Sequence, residues 1–133
     1  MALTGLPGPD DFLKQAIALA LGNVRQHGGR PFGAVLVRDD VVLATGVNEV
    51  MTSGDPTAHA EIQAIRAACR SIGNVRLDGC AIYASGHPCP MCLTAIYADL
   101  AKPASERSVQ VVVTPVSLDD EHPYAAPRAL QKG

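Results

Sequence analysis

At 133 residues, with 47% apolar and 18% charged side chains, the chain is long enough to bury a core and too apolar to be disordered. A formal charge of −2 argues against a large nucleic-acid footprint, which usually needs a basic face, and no apolar run nears the length of a membrane span. The start of the chain lacks the basic and apolar segments of a secretory leader, and Cys69 and Cys80 stand isolated in apolar stretches, so a reducing, cytoplasmic setting is expected.

The whole of 1–133 reads as a single domain without internal repeats. Residues 1–9, with Gly5, Pro7, Gly8 and Pro9, form an irregular lead-in. Asp10 or Asp11 can cap a first helix in which Phe12, Leu13, Ala16, Ile17, Ala20, Leu21 and Val24 recur at helical spacing. His27-Gly28-Gly29-Arg30-Pro31 stops it. Phe32 to Val37 and Val41 to Val47 are β-branched runs around Arg38-Asp39-Asp40, the pattern of a tight hairpin. A polar loop from Asn48 to Thr57 precedes a second helix, expected from Ala58 to about Arg70 with Ile62, Ile65 and Cys69 on one face. After a loop from Ser71 to Asp78, Cys80-Ala81-Ile82-Tyr83-Ala84 is a buried strand. It leads into Gly86-His87-Pro88-Cys89-Pro90-Met91-Cys92, where a third helix begins, with Pro90 in its first turn. Lys102-Pro103 ends that helix, Val109 to Val116 is a final strand, and 117–133 is an irregular tail. Strands interleaved with helices predict an α/β fold: three layers, α/β/α, around a mixed sheet that opens in a β-hairpin.

Chemistry concentrates at two helix starts. Cys89 and Cys92 lie at the positive end of the third helix, which favours thiolate. His59 and Glu61 open the second, and side chains there lean past the helix end. If the two helices begin side by side, one imidazole and two sulfurs converge. That donor set suits Zn²⁺ with its fourth position open, and a carboxylate beside it can carry protons from activated water. A non-enzymatic zinc module would leave Glu61 unexplained, and a redox Cys-x-x-Cys would leave both His59 and Glu61 unexplained.

His-x-Glu followed by Pro-Cys-x-x-Cys is the pattern of zinc nucleobase deaminases. The chain resembles the cytidine deaminase superfamily, and within it the bacterial guanine deaminases. The likeness runs through Gly29-Arg30-Pro31-Phe32-Gly33-Ala34-Val35, Asn48, Asp55-Pro56-Thr57-Ala58-His59-Ala60-Glu61, Ala64-Ile65-Arg66 and Pro88-Cys89-Pro90-Met91-Cys92. The resemblance implies that His59, Cys89 and Cys92 bind zinc and that Glu61 is the proton shuttle. It also implies that Asn48, the backbone of Ala60 and the ring of Phe32 contact the substrate. The implied reaction is hydrolytic deamination of a purine or pyrimidine base or nucleoside: zinc-bound hydroxide attacks, and ammonia leaves. Guanine is favoured, with cytosine or cytidine and the adenosine of a transfer RNA as alternatives. The family also implies a homodimer, whereas the acidic balance argues against nucleic acid as partner.

The pattern is broken in two places. Relatives often carry glutamate where this chain has His87, read either as a hydrogen-bond donor behind the metal or as an exposed loop residue. Relatives also continue from the cysteine helix into a further strand and a lid. Here Thr94 to Pro103 follows Cys92 after Leu93 alone, so one strand and the lid are expected to be deleted or not represented in this sequence. Cys69 and Cys80 read as core, His27 as a loop residue, Arg66 as solvated or packing, and Asp55-Pro56-Thr57 as a turn and helix cap. His122 lies in the tail.

Overall fold

The computed structural model describes residues 8–97 and 109–113. Helix α1 spans Pro9–His27, so it begins inside the stretch read as lead-in, with Gly8 as N-cap and proline at the first turn. The expected aspartate cap works from within: Asp11 accepts the Gly8 N–H at 3.0 Å, which satisfies one orphan donor and places negative charge at the dipole's positive end. Gly28 closes the helix in the left-handed region at φ 62°. His27 is therefore the last helical residue, exposed, and not part of the loop.

Strands β1 (Gly33–Arg38) and β2 (Val41–Val47) pair antiparallel. The two-residue connection puts Asp39 and Asp40 at φ 53° and 61°, the primed turn whose twist matches that of paired strands. A register shift between Leu36 and Val37 gives β2 one extra residue. The Asn48–Thr57 segment holds a single helical turn, α2 (Val50–Ser53), ended by Gly54. Helix α3 spans Ala60–Ile72, β3 Ala81–Ala84, α4 Pro90–Ile96 and β4 Gln110–Val113. The sheet order is β2-β1-β3-β4, with β1 antiparallel to both neighbours and β3 parallel to β4. The mixed α/β sheet and its opening hairpin are as expected.

Alternation along the strands sorts the core into two halves. Val35, Val37 and Tyr83 meet Phe12 and Ala16 of α1. Ala34, Leu36 and Ile82 meet Ala60, Ala64 and Ala68 of α3 and Ile96 of α4 on the opposite face. Helices thus cover both faces, the three layers anticipated. The buried stripe of α3 differs from the Ile62, Ile65, Cys69 face expected: alanines line it, and Ile65 and Cys69 pack only at its margin. The reason is the closeness of helix and sheet. A Cβ on Gly46 would lie 2.3 Å from the Ala60 carbonyl oxygen and 2.6 Å from the Ala64 nitrogen. Gly33 plays the same part under α1, where a Cβ would stand 2.4 Å from the Ala16 carbonyl oxygen.

Gly46→Ala is therefore expected to lower stability by about 1–3 kcal/mol and to shift the first turn of α3. Urea denaturation checks the first effect and zinc affinity the second; an unchanged midpoint would refute the contact.

Cys80 is buried in the α3-side core with Cys69 packed against it, as expected. No helix among the described residues is long and apolar enough to cross a membrane. The cysteine helix stops at Ile96, because Tyr97 leaves helical geometry at φ −106° and ψ 69°, and so does not run to the Lys102-Pro103 end expected; the strand beyond Val113, the tail with His122, and the missing strand and lid fall outside the described residues.

Candidate active site

Two helix starts face each other at the ends of the central strands. His59 is the N-cap of α3, extended at φ −72° and ψ 157°. It stands there because an Asx turn precedes it: the Asp55 carboxylate accepts the Thr57 N–H at 2.8 Å and the Thr57 hydroxyl at 2.7 Å. Those two bonds, the hydroxyl's first, hold the Asp55 carboxyl below its usual pKa. The turn, and not a helix cap, is the role of Asp55-Pro56-Thr57. Arg66 closes over it from outside, bonding Gln63 Oε1 at 2.9 Å and Thr57 Oγ1 at 3.3 Å, with the Asp55 carboxylate at 3.9 Å. Cys89 is likewise the N-cap of α4, and Ser85 fixes the approach: its hydroxyl accepts the Gly33 N–H at 3.0 Å, and its own N–H donates to the Gly33 carbonyl at 3.0 Å.

The convergence follows. His59 Nδ1 lies 3.5 Å from Cys89 Sγ and 3.5 Å from Cys92 Sγ, and the two sulfurs are 3.7 Å apart. A tetrahedral zinc with Zn–S near 2.3 Å and Zn–N near 2.05 Å has edges of about 3.8 Å between sulfurs and about 3.6 Å between sulfur and nitrogen. The three donors therefore already sit at the corners of a zinc tetrahedron, and the set fits that metal. Among the described residues no fourth His, Cys, Asp or Glu joins the group.

Burial corrects one expectation. The Cys92 thiol is pushed far up, first by desolvation, then by the Glu61 carboxylate and the Cys89 sulfur; the dipole of a seven-residue α4 does not offset this. A cation changes the balance, because ligating sulfur must be deprotonated. Since the raised pKa keeps the proton on Cys92 through neutral pH, zinc uptake is expected to release at least one proton per ion, with apparent affinity rising about tenfold per pH unit for each proton released. Titration of zinc into metal-free protein in a dilute indicator buffer checks this; pH-independent binding would contradict it.

Glu61, in the first turn of α3, is only 8% exposed. Desolvation raises its carboxyl pKa, opposed by hydrogen bonds with its own backbone and with Cys92. It thus meets the Cys92 sulfur while standing outside the His59, Cys89 and Cys92 group. A cavity of about 230 Å³ opens beside it, lined by Arg30, Phe32, Asn48, His59, Ala60, Glu61, His87 and Cys89. Every residue read as a site residue except Cys92, which is buried behind the wall, lines this one space. His87 is exposed on its wall, so of its two readings the exposed loop residue is the one observed.

Asn48 is buried, with its Oδ1 accepting the Val50 N–H at 3.1 Å. Its backbone is held by Asn23, whose Nδ2 donates to the Asn48 carbonyl at 2.8 Å and to the Arg30 carbonyl at 2.9 Å. Asn23 ties the entry of β1 to the exit of β2 from the end of α1. Neither Asn23 nor Arg30 stood among the expected site residues. Asn23 replaces an apolar residue on the buried face of α1, and that break in the stripe was its signal. Arg30 announced itself as a lone cation between Gly29 and Pro31 at the mouth of an apolar strand.

Residues 9–103 match the family model for the cytidine and deoxycytidylate deaminase zinc-binding region. The guanine deaminase of Bacillus subtilis (strain 168) is 54% identical over 88 residues, which cover 66% of this chain and 56% of that protein. A tRNA-specific adenosine deaminase of Agrobacterium fabrum is 47% identical over 81 residues, covering 59% and 53%. The chain spans about half the length of these curated relatives. The X-ray structure of Bacillus subtilis guanine deaminase superposes with a TM-score of 0.66 at 38% identity, covering 92% of this chain and 95% of that one.

Proposed function

As the chain belongs to the cytidine and deoxycytidylate deaminase family defined by its zinc-binding region, we propose that it is a zinc-dependent hydrolytic deaminase of a free nucleobase, guanine before others. The observation that carries the reading is the tetrahedral set of His59, Cys89 and Cys92 with a buried, non-ligating Glu61 at the wall of a small cavity. His59, Cys89 and Cys92 would hold the ion, which when bound supplies Lewis-acid activation of water at neutral pH.

The chain's own groups do the rest. Glu61 takes one proton from the attacking water and delivers it to the ring nitrogen beside the amino-bearing carbon, then carries the second, from the new hydroxyl, to the departing amine. A carbon–oxygen bond forms, the carbon–nitrogen bond breaks, and ammonia leaves. Desolvation suits Glu61 to this work, because a carboxyl raised from its usual range holds the proton longer between donor and acceptor. Asn48, its Oδ1 engaged by Val50, turns the donor half of its amide to the base. Ala60 opens α3, where a backbone N–H has no helical acceptor and can meet a ring atom. Phe32 supplies an apolar wall for the ring.

Guanine is favoured by the 54% identical relative and by a cavity of single-base size. The group of tRNA-specific adenosine deaminases at 38–47% identity supports a second reading, against which stands the net charge of −2. A second copy of the chain is the expected partner, and the cytoplasm the expected setting. Zinc quantified together with ammonia release from guanine, cytosine, cytidine, adenine, adenosine and a tRNA anticodon stem tests the proposal. Stoichiometric zinc and release from guanine are expected; stoichiometric zinc without release from any of them would reduce the site to a binding module.

A further inference from the structure

Resting on the guanine reading, we propose that Arg30 reads a carbonyl oxygen of the substrate base and thereby selects a 6-oxopurine over a 6-aminopurine. Arg30 lines the same cavity as Phe32, Asn48, His59 and Glu61. Its main chain is fixed, because its carbonyl accepts both the Asn23 amide at 2.9 Å and the Phe32 N–H at 2.9 Å. Pro31, fully buried, follows at once and locks the backbone further.

The side chain is not satisfied in the same way. Its Nε–H is buried with no hydrogen-bond partner among the described residues. Its Nη2 reaches only Met51 Sδ, at 4.0 Å, and a thioether is a weak acceptor. Neither ion pair among the described residues involves Arg30. What faces a ligand cavity with donors to spare is the end of the guanidinium, whose one bond among the described residues is to a thioether, and an acceptor on the ligand can complete it.

Guanidinium donates only and stays charged, so it distinguishes acceptors from donors. Guanine presents two neighbouring acceptors, O6 and N7, which are the usual partners of arginine; a 6-aminopurine places a donor where O6 would be. The 6-amino group would leave Arg30 unpaired and set two donors against each other. Sites built on a polar contact reject the mismatched analogue far more strongly than apolar pockets do.

Guanine and 2,6-diaminopurine both carry the 2-amino group and differ at position 6 and, with it, in the hydrogen at N1, so the contact is read from how substitution of Arg30 changes their ratio. With zinc-loaded protein and chromatographic separation of products, the wild type is expected to favour guanine by about 100-fold or more in kcat/KM. Arg30→Met should lower the guanine value by about 10–100-fold while leaving 2,6-diaminopurine within about threefold and zinc content unchanged. Arg30→Lys, which keeps the charge and a donor without the fork, should fall between. Equal losses on both purines, or an Arg30→Met variant with wild-type guanine turnover, would overturn the role of Arg30 alone. A wild type that deaminates no purine would overturn the guanine reading and this inference together.

Discussion

Glu61→Gln is expected to lower kcat by about 10²–10⁴-fold while the protein keeps its fold and its zinc. The substitution is nearly isosteric, and Glu61 stands outside the ligand trio. What it removes is the proton acceptor: an amide cannot accept a proton from water and return it to a leaving amine. Because the Glu61 carboxyl is buried and its pKa raised, replacing it with a neutral amide should leave stability unchanged or slightly higher. Loss of turnover without loss of stability or metal is therefore the signature. Steady-state kinetics beside zinc analysis and urea denaturation read all three, and near-normal turnover would remove Glu61 from the mechanism.

Cys92→Ala should abolish zinc binding and activity together. Cys92 is fully buried and one of three donors, and two remaining ligands do not hold zinc at the affinity of three. Cys80→Ala is the matched control. Cys80 is buried to a similar degree, but in the apolar core away from the trio. It should cost about 1 kcal/mol of stability and leave zinc and turnover as they were. Metal analysis after extensive dialysis separates the two cysteines; equal zinc retention in both variants would contradict the ligand assignment.

Much of the site was legible in the sequence because its chemistry is local. His59 and Glu61 lie two positions apart on one helix start, Cys89 and Cys92 three apart on another, and only the approach of those starts needed the fold. The hairpin was legible for the same reason: two aspartates between β-branched runs permit the positive φ values that the turn requires. What escaped depends on contacts between distant segments. Asn23 bonds a carbonyl 25 positions away, a pairing no spacing rule contains. The α3 stripe was misjudged because Ile62 and Ile65 look like better core residues than Ala60 and Ala64. Only the near-contact of Gly46 with the helix backbone makes alanine the residue that fits. The turn α2 is four residues long, too short for any periodicity to register. The thiol of Cys92 was misread because a helix start is visible in sequence and burial beside a carboxylate is not.

One convergence underlies the whole account, and X-ray absorption at the zinc edge of the loaded protein tests it most directly. The expected spectrum shows two sulfurs near 2.3 Å and lighter donors at about 2.0–2.1 Å: one imidazole nitrogen and one exchangeable oxygen, the last replaced on adding an inhibitor. A shell without sulfur, or one closed by four protein ligands with nothing exchangeable, would contradict it.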